Sequence, residues 1–398
     1  MIASVRKEFN ASFSERKYRN FLTDLNQTFN HPITFRIAES PVFVDRELKH
    51  KLVDASNQII DFLARDDFKK LTGKSIPKNQ IVPNETDHTL FLALDFAVVK
   101  DEHGNRQPQL IEMQGFPSLY GWQDFLALKF KEHFYCPPGF NSHFDLTREQ
   151  YQSKLKNVLL NGHDPENVIL LEIDPLKQNT AIDFIITEKI SGITPVHIGD
   201  IIRNGRKLSY QKSGKKVPIH RIYNRVIFDE LVKRSDLKLD FNLIEDVDVE
   251  WAGHPNWFFR ISKFAMPFIK GRYIPECKFL NEYKSWPSDL ENYVLKPLFS
   301  FSGSGVIFHI KKSDLDSIPE NERENFLLQR KIQYEPVIQS PDGNVKTEIR
   351  LLFLWEENQP RPIPVTNLAR LSRGEMIGVK FNQDKTWVGG SVCFFEPD

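Results

Sequence analysis

Apolar residues follow two different periods along the chain, and the change between them predicts where helices give way to strands. Residues 1 to about 80 carry apolar side chains at helical spacing, as at Phe21 and Leu25. The segments 88–100 and 108–121 are short apolar runs joined by an Asp-Glu-His-Gly-Asn turn, which predicts a β-hairpin. The N-terminal part is therefore predicted to be a helical region that ends in a hairpin.

From about residue 147 helical segments alternate with continuous apolar runs. The run 167–174 is apolar almost throughout, as in a strand of a buried parallel sheet. Strands and helices alternating at this spacing predict a small α/β domain over 147–245. This domain has no GxGxxG fingerprint, so a dinucleotide-binding domain of the usual kind is unsupported. Short strands dominate 246–398, and the fold class predicted for the chain is α/β (α+β).

Composition narrows the class of protein. Lysine plus arginine equals aspartate plus glutamate at 53 each, so overall charge indicates neither a nucleic-acid nor a membrane-surface partner. The three cysteines have no CxxC spacing, which excludes a disulfide framework and a zinc site and fits a reducing compartment. The sequence has neither an apolar signal segment nor a run of about 18 apolar residues. These features predict a cytoplasmic globular protein of unknown oligomeric state.

The stretch 293–310 is the first candidate for chemistry. Two apolar runs flank the small-residue turn 300–305, and Lys296 lies near the end of the first run. Glycine allows close approach of backbone to a ligand, successive N–H groups can hold an anion, and a lysine suits phosphate. It is not a Walker A loop, because no Gly-Lys-Ser/Thr and no helix pattern follow. Taken alone, the stretch fits an ordinary Gly/Ser hairpin with an exposed lysine better than a phosphate-binding loop.

Single polar residues interrupt several other apolar strands. Asp95 and Glu112 do so in the N-terminal hairpin, where burial would be costly unless they were paired or functional. Beyond Lys296, the C-terminal strands carry a further polar set: Glu348, Arg350, Asn367 and Arg370. If these strands shared one sheet, the cations could meet nucleotide phosphates while carboxylate and amide oxygens held Mg²⁺.

The order Leu-Lys-Pro, small-residue loop, Gly-Val, then FLLQRKI, EIR and NLAR resembles the ATP-grasp superfamily over 246–398. The segments LIEMQGFPSLYG, IYNR and WAGHPNW further resemble its glutathionylspermidine-synthase-like branch. The resemblance implies an ATP-grasp region at 246–398 after a small pre-ATP-grasp-like domain. Region 1–146, helical with a hairpin, would then form part of the acceptor site.

The resemblance also implies roles for individual residues. Lys296 would contact phosphate and Lys263 would be the second nucleotide lysine, with Glu348 and Asn367 as metal ligands. Arg350 and Arg370 would stabilise the phosphate or acyl phosphate. The lid over the triphosphate and the adenine-facing strand would consist of Ser302, Gly303, Ser304 and Gly305, and of Gln329, Arg330, Lys331 and Ile332, respectively.

Taken together, these features predict an ATP-dependent ligase that uses ATP and Mg²⁺ to join a small-molecule carboxylate to an amine or thiol through an acyl phosphate. A phosphotransferase acting on a hydroxyl, or a non-catalytic nucleotide-binding protein, is the alternative. The Glu-x-Asn metal pair of many ATP-grasp members is absent around Asn367, so Glu348, Asp384 or Glu335 could replace its glutamate. Glu348 and Arg350 could instead form cross-strand ion pairs, and Asn367 could shape a turn.

Overall fold

The computed structural model describes residues 2–298, 305–374, 377, 382 and 384–398. The α-helices in these residues are α1 Ala3–Ser12, α2 Glu15–Thr28, α3 Arg46–Leu63, α4 Phe68–Leu71, α5 Tyr120–His133, α6 Arg148–Leu160, α7 Ala181–Ser191, α8 Phe228–Lys233, α9 Asn256–Arg260 and α10 Lys312–Asp316. The strands are β1 Val42–Val44, β2 Phe91–Lys100, β3 Arg106–Gln114, β4 Val168–Glu172, β5 Thr194–His197, β6 Ile202–Asn204, β7 Lys207–Lys212, β8 Lys215–Ile219, β9 Arg221–Asn224, β10 Glu250–Ala252, β11 Cys277–Phe279, β12 Tyr293–Pro297, β13 Phe326–Arg330, β14 Ile338–Ser340, β15 Gly343–Leu354, β16 Ile363–Ser372, β17 Gly389–Ser391 and β18 Cys393–Phe395. This mixed α/β structure confirms the predicted class.

The largest sheet joins the two ends of the chain. Its strand order is β17-β16-β15-β2-β3, with β14 beside β15, and all pairs are antiparallel. The predicted hairpin of β2 and β3 therefore pairs with β15, which follows more than two hundred residues later. Residues of the predicted regions 1–146 and 246–398 thus share one sheet, and β1 and β18 from the same two regions pair in a separate two-stranded parallel sheet.

A parallel sheet of order β10-β9-β4-β5 forms the core of the 147–245 segment. All five residues of β4 are buried, as the continuous apolar run predicts. Glu172 ends β4, and Arg225 directly follows β9. Because these two strands are parallel neighbours, both residues lie at the same carboxyl edge of the sheet. Ligands of open α/β sheets bind at such edges.

The basic segment 203–219, RNGRKLSYQKSGKKVPI, is predicted from its sequence to be a solvent-exposed hairpin, and the structure differs from that prediction. It forms a three-stranded antiparallel sheet, β6-β7-β8. Leu208, Tyr210, Val217 and Ile219 from this sheet are buried in the core beside the parallel strands. Alternation explains the difference, because the lysines occupy the outer positions of strands whose inner positions are apolar.

Another sheet, β11-β13-β12, carries the first half of the 293–310 stretch. Leu295 of β12 pairs with Ile307 through two backbone hydrogen bonds of 2.9 and 3.0 Å, so the chain returns antiparallel to β12 as predicted. Gly305 has a left-handed φ of 71°, a conformation that favours glycine. Ser302, Gly303 and Ser304, the rest of the predicted lid, lie outside the described residues.

In the described ranges, no helix combines the length and the apolar character that a membrane crossing requires.

Candidate functional site

Strand register brings five of the charged residues together on one face of the six-stranded sheet. Arg350 of β15 lies opposite Asp95 of β2, which in turn lies opposite Glu112 of β3. Two residues before Arg350 on β15, Glu348 lies opposite Arg370 of β16. Residues two apart on a strand share a face, so the two rows are adjacent. The interpretation of Glu348 and Arg350 as same-face neighbours therefore agrees with the geometry.

Asp95 is the centre of this cluster. Its two carboxylate oxygens accept hydrogen bonds from Arg350 Nε and Nη2, at 2.5 and 2.6 Å, and Arg370 Nη2 also donates to Oδ2 at 2.6 Å. Burial alone would raise the pKa of Asp95, but the two guanidinium groups outweigh it and hold that pKa below its ordinary value. The carboxylate is thus a charged anchor that orients both arginines.

Glu348 is the second buried carboxylate of the cluster. Its Oε1 contacts Arg370 Nη2 in an ion pair, and its Oε2 accepts a hydrogen bond from the Tyr334 hydroxyl at 3.3 Å. Burial raises the pKa of Glu348, and the negative charges of Asp95 and Glu112 raise it further, against the opposing charge of Arg370. A cation placed beside Glu348 would relieve this accumulation of negative charge.

Two lysines approach the cluster from a different direction. Lys296 Nζ of β12 donates to Gln329 Oε1 at 2.7 Å and lies 3.5 Å from the Ile111 carbonyl oxygen of β3. Lys263, at the start of the 3-10 helix Lys263–Phe268, donates to the Pro297 carbonyl at 3.3 Å. Burial lowers the pKa of both lysines, and that of Lys263 falls to about 8. The predicted set therefore converges from two sheets rather than from one.

A cavity of about 490 Å³ opens beside the lysines and carboxylates. Glu112 and Lys263 line it on the side of the cluster. The carboxyl edge of the parallel sheet supplies Glu172 and Arg225, and α8 supplies Asp229 and Glu230. The charged row and the cavity therefore adjoin each other at Glu112.

Arg225 and Glu172 are the most buried charged residues of the cavity wall. The Arg225 guanidinium packs over the rings of Phe116 and Phe184, each at 5.3 Å, and contacts the Pro117 carbonyl. Its Nε has no hydrogen-bond partner among the described residues. Burial raises the pKa of Glu172 to about 8. Both groups therefore retain polar capacity that a ligand in the cavity could satisfy.

Asn367 does not join the cluster. It lies on the face of β16 opposite to Arg370, because the two residues are three positions apart on the strand. Its side-chain amide nitrogen donates to the Ser142 and Cys393 carbonyls, both at 3.0 Å, and its oxygen accepts from the Cys393 N–H at 2.6 Å. These bonds fasten strands together in the core, and we therefore exclude Asn367 from the candidate metal ligands.

The first two residues of the predicted adenine-facing segment, Gln329 and Arg330, lie at the end of β13, and the other two follow that strand. Gln329 is buried and its side chain points to Lys296. Arg330 forms an ion pair with Asp289 at 2.7 Å and stacks on Tyr293, so its side chain faces outward. Lys331 and Ile332 follow the strand, and the Lys331 N–H donates to the Asn292 carbonyl at 2.8 Å. The structure leaves a role in adenine binding untested.

Several contributors were missed or left undecided by the sequence. Asp95 and Glu112 fitted solvent exposure as well as function, and pairing with β15 resolves this by placing them in the cluster. Tyr334 and Ser118, which contact Glu348 and Arg350 from loops, carry no periodic signal. The Gln114 amide, which donates to Glu112 at 2.9 Å, shares a strand face with it, and their i, i+2 spacing could have indicated this.

Comparison with known proteins yields a similarity of fold. The sequence matches no protein-family model and no curated protein. The structure of a glutathione synthetase-like effector from Globodera pallida in its apo form matches this chain with a TM-score of 0.60. The match covers 96% of each chain at 11% sequence identity. At this identity the similarity shows a shared mixed α/β fold alone.

Proposed function

We propose that the protein is an ATP-dependent ligase with an ATP-grasp fold, which joins a small-molecule carboxylate to an amine or a thiol. The observation that carries the proposal is the meeting of two kinds of site at Glu112 and Lys263. On one side lie the lysines, carboxylates and arginines that suit a metal-bound triphosphate. On the other side lies a polar cavity of about 490 Å³ that suits an acceptor.

In the proposed reaction a carboxylate oxygen of the substrate attacks the γ-phosphorus of ATP, and ADP leaves. The nitrogen or sulfur of the acceptor then attacks the acyl carbon, loses its proton and displaces inorganic phosphate. Lys263 and Lys296 would bind phosphate oxygens, while Arg350 and Arg370 would neutralise charge on the transferring group. Asp95 would hold both arginines in place. Catalysis of this kind depends on positioning and charge, and no protein nucleophile is required.

Mg²⁺ would be held by Glu112 and Glu348. Carboxylate oxygens are the ligands it prefers, and bound Mg²⁺ neutralises phosphate charge. Glu112 lines the cavity with its side chain 30% exposed, whereas Glu348 Oε1 is ion-paired with Arg370, so Mg²⁺ would replace the arginine at this oxygen. Asp95 is less suited, because arginines already occupy both of its oxygens. These donors fit the ion without the contribution predicted from Asn367.

The decisive test is to trap the intermediate with hydroxylamine. Purified protein with ATP, Mg²⁺, hydroxylamine and a pool of small carboxylates should yield a hydroxamate together with ADP, because only an acyl phosphate reacts in this way. Release of ADP without hydroxamate would indicate a phosphotransferase. ATP binding without ADP release would indicate a non-catalytic nucleotide-binding protein, which the close pairing of Asp95 and Glu348 with arginines favours as the alternative.

ATP affinity should fall as the pH rises above 8. The pKa of Lys263 is about 8 in the free protein, and a bound phosphate favours the charged form. Below pH 8 the lysine is charged before ATP arrives, whereas above it each binding event takes up a proton. Affinity should then fall by up to about tenfold per pH unit for each such lysine. Isothermal titration calorimetry from pH 6.5 to 9.5 measures this dependence.

The matched variant is Lys263→Arg, whose guanidinium remains charged across that range. It should reduce the slope of log Kd against pH by about one proton above pH 8, while Lys296 keeps its own contribution. Lys278→Arg, on the exposed side of neighbouring β11, is the control and should leave the slope unchanged. An unaltered slope in Lys263→Arg would remove Lys263 from the phosphate site.

A further inference from the structure

Gln329 is a buried polar side chain that contacts Lys296 diagonally across the strand pair, not from the directly opposite position. It lies on β13, directly opposite Val294 of β12, while Lys296 lies opposite Leu327. Gln329 and Lys296 are therefore diagonal neighbours on one face of the sheet, close enough for long side chains to meet. Only 1% of Gln329 is exposed, and its Oε1 accepts from Lys296 Nζ at 2.7 Å.

Because other charged groups lie near Lys296, the neutrality of its hydrogen-bond partner Gln329 affects how much positive charge the site presents. On the far side of Gln329, β11 contributes Cys277, whose pKa is raised by burial to about 12, so the thiol is uncharged at neutral pH. Lys263 adds a second positive charge nearby. The negative charges that act on Lys296 come from Glu112 and Glu348, both on the six-stranded sheet. The sheet that carries Lys296 thus presents hydrogen-bonding groups to it but no carboxylate.

An amide oxygen and a carboxylate oxygen would have different effects at this position. Either can accept a hydrogen bond from the ammonium and fix its direction. Only the carboxylate would neutralise the ammonium charge and repel an incoming anion. An apolar side chain would leave a buried donor without an acceptor, which is costly for a charged group.

We propose that Gln329 is a positioning residue that aims the Lys296 ammonium group toward an anionic phosphate oxygen while leaving its charge available. This role rests on the proposed function, because the anion is taken to be ATP. It also reassigns the Gln329 side chain from the adenine to the phosphate end of the nucleotide. The positioning itself is a property of the protein without nucleotide and can be measured separately.

The test compares Gln329→Met and Gln329→Glu, both close in size to glutamine. In protein labelled with ¹³C at lysine Cε, the Lys296 signal is assigned by its loss in Lys296→Arg, and its pKa is measured by NMR titration. The pKa should fall further in Gln329→Met and rise in Gln329→Glu. ATP affinity at pH 7.5 should nevertheless fall about tenfold in both variants. Native-like ATP affinity in both variants, despite divergent Lys296 pKa values, would show that Gln329 does not position the ammonium group for ATP.

Leu328→Met is the matched control, because Leu328 lies on the same strand but faces the small core of Leu280, Leu295 and Leu315. It should change neither the Lys296 pKa nor ATP affinity. Equal Lys296 pKa values in the native protein and both Gln329 variants would overturn the positioning role. If native protein binds no ATP while the pKa values still diverge, the positioning role stands and the proposed function fails.

Discussion

Replacing Lys296 by methionine is expected to weaken ATP binding about a hundredfold, the size of effect seen when a charged donor to a developing or bound anion is lost from a water-excluded site. Methionine keeps most of the apolar stem and removes only the ammonium group. Burial already lowers the pKa of Lys296, so removing its ammonium group should cost the nucleotide-free protein little stability. Calorimetric titration of ATP with Mg²⁺ measures the change in affinity.

Lys278→Met provides the comparison for Lys296→Met. Lys278 belongs to β11 of the same sheet, is paired with Glu276, and has a side chain 48% exposed. It should bind ATP as the native protein does. Thermal unfolding should show that both variants are folded at the temperature of the titration. Native-like affinity in folded Lys296→Met would contradict the phosphate role of Lys296 and, with it, the proposed function.

Replacing Asp95 by alanine is expected to reduce the free energy of unfolding by about 3–5 kcal/mol, because it leaves buried arginines without their counter-charge. Asp95 is 1% exposed and bonds both Arg350 and Arg370. Urea-induced unfolding measures the change. Removing the other buried charges as well, in Asp95→Leu with Arg350→Met, Arg370→Leu and Glu348→Met, should recover part of the loss, since apolar groups of similar volume can replace a buried ion cluster.

An exposed ion pair serves as the control for Asp95→Ala. Asp67 pairs with Arg65 at 2.7 Å, and both side chains are about half exposed. Asp67→Ala should change the free energy of unfolding far less than Asp95→Ala does, because solvent screens such pairs. If Asp95→Ala were no more destabilising than Asp67→Ala, the cluster would not be a buried, charge-paired unit.

The sequence was sufficient to predict the local structure that carries the candidate site. Apolar runs with turn residues at their ends identified the strands that carry Lys296, Gln329, Glu348 and Arg350, and each lies on a strand in the structure. Strand alternation also placed Glu348 and Arg350 on a common face. These are short-range properties, fixed by side chains a few residues apart.

Pairing between distant strands could not be predicted from these short-range patterns. Asp95 and Arg350 are 255 residues apart, and nothing in either strand specifies the other as its partner. Asn367 and Arg370, by contrast, could have been separated from the sequence alone. Both are polar residues on one apolar strand, but an odd spacing sends them to opposite faces. A single sequence reveals which residues are unusual, whereas the register decides which of them meet.

The union of distant chain segments in the six-stranded sheet also has a consequence for the order of folding. Closing a loop of n residues, here 255, has an entropic cost of order (3/2)RT ln n. The chain bears this cost before the ion cluster can form and stabilise the sheet. High contact order slows folding. During synthesis, β2 and β3 emerge long before β15 and present an unpaired edge until the C-terminal strands arrive. The charged face of the six-stranded sheet should therefore be the last part of the molecule to become protected from hydrogen exchange.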